Sequence, residues 1–147
     1  MRKDTYQLEV DKDSLAFEFY SEDPKGKILK IIEYQPLGGR YFNLAFGDSI
    51  EESKDFDDFV RTNNQDTEKV LATVASTSYI FFEKHEGTIV IAEGSTHSRT
   101  RLYRRYLTIF LEQIESEFDL LGELNGTTQR FQKGIDYQFF LISKKAI

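Results

Sequence analysis

TIVIAEGSTHSRTRLYRRYLTIFLEQIESEF, residues 88–118, contains two periodicities in succession. Thr88 to Ala92 is an unbroken apolar run of strand length, which places it inside a sheet and not on its wet face. From about Ser98 to Phe118, apolar residues recur every three or four positions: Tyr103, Tyr106 with Leu107, Phe110 with Leu111, Ile114 and Phe118. That spacing predicts one helix with a single apolar stripe. A buried strand feeding an amphipathic helix calls for a sheet with helices layered on it.

Upstream, Asp66 or Thr67 is a natural N-cap for a helix running to about Glu86, with Val70, Leu71, Val74, Phe81 and Phe82 on its inner face and Gly87 as its stop. Earlier still, Leu15, Phe17 and Phe19 alternate with polar neighbours, the period of a half-buried strand. The cluster Ser21–Gly26 reads as a turn, Lys27–Gln35 as a second strand and Arg40–Phe46 as a third, which makes a β-meander. Downstream, Asp119–Leu124 and Tyr137–Ser143 read as two strands with the hairpin signal Asn125-Gly126 between them. The prediction is an α+β fold over a single domain, residues 1–147. It has a mainly antiparallel sheet, an N-terminal β-meander followed by α-β-α-β-β, and two helices packed on one face.

The composition narrows the chemistry. There are 13 Phe, 8 Tyr and no Cys in 147 residues, so the core is aromatic and no disulfide, thiolate metal site or cysteine nucleophile exists. A cysteine-free chain whose N-terminus lacks an apolar export segment is expected in the cytoplasm. No run of 18 apolar residues is present, so no membrane partner is expected. The net charge of −6 disfavours a broad nucleic-acid-coating surface and leaves only local contact. Residues 48–68 hold eight carboxylates against Lys54 and Arg61 and read as a solvated loop. Asp55, Asp57 and Asp58 lack the glycine and terminal glutamate of a calcium loop, so no metal and no cofactor are expected.

Against this acidic background, Gly94 to Tyr106 holds Arg99, Arg101, Arg104 and Arg105 and no acid. It opens a helix, where first-turn N–H groups already carry partial positive charge. Glu112, Glu115, Glu117 and Asp119 then crowd the other end, so both halves oppose the helix dipole, each charge at about 0.3–1 kcal/mol. Two arrangements offset that cost. The first is an anion held by Gly94, Ser95, Thr96, Ser98, Arg99, Arg101, Arg104 and Arg105, with Asn43, Asn63, Asn64 and His97 in support. The second is an internal ion-pair network with the 48–68 segment. The run is not a P-loop, because it has one glycine and no Gly-Lys-Ser/Thr ending. His97 is the candidate general base, and no second catalytic group is identifiable. Tyr6, Tyr20, Tyr34 and Tyr41 are candidates for a base-stacking platform or for ordinary cross-strand packing.

YFNLAFGD (41–48), TNNQD with KVLATVA (62–75) and GSTHSRTRLYR (94–104), together with the opening FEFYSEDPKGKILKIIEYQ, resemble a family of roughly 150-residue bacterial proteins of unknown function. The resemblance places Asn43, Asp48, Asn63, Asn64, Gly94, Ser95, Thr96, Arg99 and Arg101 at motif positions and implies no reaction. The leading functional expectation is a non-enzymatic binding module. Its candidate partners are a phosphorylated ligand, a nucleic-acid backbone or an acidic protein. The alternatives are an enzyme on a phosphorylated or nucleic-acid substrate with His97 as base, and an arginine cluster that is purely structural.

Overall fold

The computed structural model describes residues 5–23, 26–48, 64–94 and 96–145. Its strands are β1 (Glu9–Val10), β2 (Ala16–Asp23), β3 (Gly26–Gly38), β4 (Tyr41–Asp48), β5 (Ile89–Ala92), β6 (Phe118–Leu124), β7 (Thr127–Arg130) and β8 (Phe139–Lys144). The helices among the described residues are α1 (Asn64–Lys84), α2 (His97–Ile109) and α3 (Leu111–Glu117). The hydrogen-bonded strand order is β1-β2-β3-β4-β5-β8-β6-β7. The β1–β2, β2–β3, β5–β8, β6–β8 and β6–β7 pairs are antiparallel, and β4–β5 is parallel. The fold is α+β with an N-terminal meander. No helix among the described residues is long and apolar enough to cross a membrane.

The chain divides into two compact units, Met1–Glu33 with Ala45–Lys84, and Tyr34–Leu44 with His85–Ile147. In the first unit the β2–β3 register sets Phe17 opposite Ile32 and Phe19 opposite Lys30, all four buried. Helix α1 packs on β2 and buries Val70, Leu71, Val74, Phe81 and Phe82, as its spacing predicts. Thr73 and Thr77 are buried with them, because their hydroxyls donate to the Lys69 and Val74 carbonyls and need no water. The segment before β1 crosses this unit through Tyr6. Its N–H donates to Thr73 Oγ1 at 2.8 Å and its ring stacks on Phe19 at 5.5 Å, with the Lys69 ammonium 4.2 Å from the ring centroid. Its hydroxyl accepts from Glu22 N–H at 3.1 Å and donates to the Glu22 carbonyl at 3.4 Å.

In the second unit, cross-strand rows Phe42–Val90–Ile142–Leu120 and Leu44–Ala92–Phe140–Gly122 line up over four strands. Gly122 is needed here because the Tyr137 ring lies over it: a Cβ would sit 2.4 Å from the ring. Tyr137 in turn packs with Phe131 and Phe140.

Several features differ from the sequence reading. Helix α1 begins at Asn64, ahead of the expected Asp66 or Thr67 cap. The 98–118 helix is two helices joined at Phe110, which leaves helical geometry at φ −107°, ψ 20°. The Phe110 N–H still reaches the Tyr106 carbonyl at 3.1 Å and its own carbonyl accepts from Ile114 N–H at 2.9 Å, so the departure is confined to one residue. The expected stripe is nevertheless buried at Tyr103, Tyr106, Leu107, Phe110, Ile114 and Phe118. The Asn125-Gly126 turn, with φ of 52° and 83°, joins β6 to the unforeseen β7, while β8 pairs with the opposite edge of β6. Of the two expectations for the four tyrosines, Tyr34 and Tyr6 fit packing, the first buried and the second stacked on Phe19, while Tyr20 and Tyr41 are exposed. The acidic reading of 48–68 falls mainly on 49–63, outside the described residues.

Candidate functional site

Strand β5 ends at Ala92, paired with Leu44 of parallel β4, so the two carboxyl ends stand side by side. This is the end of a parallel pair from which loop and helix N–H groups face outward. Glu93 and Gly94 follow β5, and α2 begins at His97 with Thr96 as its cap. Gly94 passes so close to the first helical turn that a Cβ would lie 2.4 Å from Arg99 Cβ and 2.5 Å from Thr100 N. Only a hydrogen fits there. The Gly94 N–H donates to Thr100 Oγ1 at 3.1 Å, and Thr100 Oγ1 donates to the Thr96 carbonyl at 3.2 Å. Thr96 is the N-cap, in extended geometry, and its hydroxyl oxygen accepts from Arg99 N–H at 3.2 Å.

Several groups expected to cradle an anion are thus committed inside the loop. The Gly94 N–H, the Thr96 hydroxyl and the Arg99 N–H each serve the helix start itself. The arginines separate into distinct roles. Arg99 is half-buried, and its charge lies near the buried Tyr103 phenol, whose pKa is pushed up to about 12 by burial, with Arg99 pulling the other way. Arg104 donates through Nη1 to Asp136 Oδ1 at 3.0 Å. Asp136 Oδ2 also lies 3.9 Å from Nε2 of the exposed His97. Arg101 and Arg105 are exposed, one turn apart, and neither is ion-paired to a described residue.

A family model, described as a family of unknown function (DUF6934), matches residues 2–145. The chain belongs to DUF6934. Comparison with curated proteins and with solved structures gave no significant match.

The remaining site residues of this DUF6934 chain are spread over several elements. Asn43 donates from Nδ2 to Gln35 Oε1 at 3.2 Å, across the β3–β4 hairpin. Asn64 begins α1, and Asp48 ends β4. Ser98 is half-buried in the first turn of α2. Ser95 and Asn63 lie outside the described residues.

Three polar features were not legible in the sequence. Asp136 pairs with Arg104 over 32 positions, and no local pattern announces such a contact. Arg130 binds Glu115 with both Nε and Nη2, at 3.0 and 3.1 Å, so one acid of α3 is answered from β7. Lys30 is 1% exposed, set there by its register with Phe19. The break at Phe110 also amends the charge argument: Glu112 now occupies the first turn of α3, a favoured place for an acid.

Proposed function

We propose that this DUF6934 member is a binding module that engages an anionic ligand or an acidic partner through the outward face of α2, with Arg101 and Arg105 as the contact cations. One observation carries the reading: both guanidinium groups stand in solvent one turn apart, on a helix with no acid in its first turn. Like charges at this spacing cost a helix about 0.2–0.5 kcal/mol, and Arg101, near its N-terminus, adds to that. An anion between them removes the cost. Guanidinium forks bind carboxylate and phosphate oxygens in pairs, so a phosphate, a nucleic-acid backbone and an acidic protein surface share the recognition chemistry. Arg104, held by Asp136, supplies the structural part of the cluster.

The test is a thermal-shift titration of wild type and the Arg101→Ala/Arg105→Ala variant. The probes are inorganic phosphate, short single- and double-stranded oligonucleotides and polyglutamate, each at low and high salt. Stabilisation of wild type that weakens with salt and disappears in the variant is the expected result. No stabilisation by any probe would remove the anion-binding reading.

A further inference from the structure

We infer that the acidic partner of this face is a second copy of the same chain, docked antiparallel along α2 and α3 about a two-fold axis near Ile109. The inference rests on the reading above and names its partner. The outward face of these helices carries Arg101 and Arg105, then Thr108 and Ile109, then Glu112 and Ser116. Ile109 is 56% exposed, a large apolar side chain in solvent midway along the face. Arg105 precedes the Thr108–Ile109 midpoint by the same number of positions as Glu112 follows it. Within one chain the two are two turns apart, about 10 Å along the axis, too far for a direct pair. Neither is ion-paired to a described residue. The hydrogen bonds through Phe110 carry the ladder past the bend, which keeps both halves on one face.

A two-fold operation on such a face is self-complementary. It sets Arg105 of one copy against Glu112 of the other, twice, with the Ile109 side chains between the two pairs. The resulting contact has an apolar centre and a charged rim, the usual anatomy of a protein interface. Glu112 decides between partners. A phosphate held by Arg101 and Arg105 leaves this carboxylate unused, whereas a second copy pairs with it. The net charge of −6 on each copy opposes association and is itself screened by salt, so salt dependence alone is not diagnostic. Charge exchange is.

The test is sedimentation velocity of the full chain over a wide concentration range, with circular dichroism confirming that each variant is folded. Wild type is expected to dimerise, and Arg105→Glu and Glu112→Arg are each expected to be monomeric, because each sets like charges together. An equimolar mixture of the two variants is expected to regain the dimer. In the mixed pair, the carboxylate introduced at position 105 of one variant meets the guanidinium introduced at position 112 of the other, and the unaltered Glu112 meets the unaltered Arg105. A monomeric wild type, or single variants that dimerise as wild type does, would overturn the inference. The phosphate and oligonucleotide titrations then separate the two levels. A monomer that still binds these probes through Arg101 and Arg105 loses only the self-pairing, and a monomer that binds none loses both.

Discussion

Replacing Gly94 by alanine tests whether the loop before α2 is as closely fitted as its geometry requires. The added Cβ would lie 2.4 Å from Arg99 Cβ, 2.5 Å from Thr100 N and 2.7 Å from Arg99 C. Ordinary carbon contacts are about 3.5–4.0 Å, so the loop must retreat by roughly 1 Å or more. The obstructing atoms are backbone and a Cβ, which cannot swing aside. A retreat of that size breaks the 3.1 Å bond from Gly94 N–H to Thr100 Oγ1. Overpacking costs about 1–3 kcal/mol and the lost hydrogen bond about 1 more. For a chain of this length each kcal/mol moves Tm by about 2–4 °C, so Gly94→Ala should melt roughly 5–15 °C below wild type. Gly47→Ala is the control, because a Cβ there meets nothing within 4 Å. Differential scanning calorimetry of the three proteins reads the result directly. A Gly94→Ala melting point within about 2 °C of wild type, alongside an unchanged Gly47→Ala, would refute the close-fit argument.

Gly122→Ala sets a Cβ 2.4 Å from the Tyr137 ring and should cost about 1–3 kcal/mol in urea unfolding, whereas the double variant Gly122→Ala/Tyr137→Ala should lack that steric component, giving a non-additive cycle. Tyr6→Phe removes the hydroxyl that serves both Glu22 backbone groups and should cost about 1 kcal/mol by the same measurement, with no change in secondary structure by circular dichroism. Tyr103 keeps its proton to about pH 12 when folded, against 10.0 for a free phenol, so the folded state holds that proton more tightly than the unfolded one. Its contribution is level below pH 10 and falls between pH 10 and 12, by about 2–3 kcal/mol, and Tyr103→Phe should lose correspondingly less stability than wild type over that window.

The parts of the fold legible in the sequence are those whose cause is local. The stripe from Tyr103 to Phe118 was readable because one helical period decides which side chains are inside, and Thr88–Ala92 was readable because a short apolar run is stable only inside a sheet. β7 was not readable: Thr127–Arg130 carries no apolar alternation and is a strand only because β6 offers it an edge across the Asn125-Gly126 turn. Lys30 sits among Ile28, Leu29, Ile31 and Ile32, where no period assigns a face, and the pairing with Phe19 settles the matter. At the site, sequence located the helix start and the cationic face. The internal bonds of the loop donors, from Gly94 to Thr100 and from Arg99 to Thr96, were not legible, because they exist only once the loop has closed on the helix. Asp136 was invisible for the same reason that β7 was: its importance comes from a distant partner.

The placement of β5 also bears on how the chain is made. Val90 is in register with Phe42 on one side and Ile142 on the other, each about fifty positions away, so neither neighbour can recruit it through a short hairpin. The meander and the β6–β7 hairpin close small loops and can form early, whereas β5 must wait for two large ones. During synthesis Ile89–Ala92 is therefore an apolar strand lacking one of its two neighbours until residues 139–144 have emerged. The same interval is when another nascent chain could capture it, which makes β8 a guard against co-translational aggregation as much as a member of the sheet.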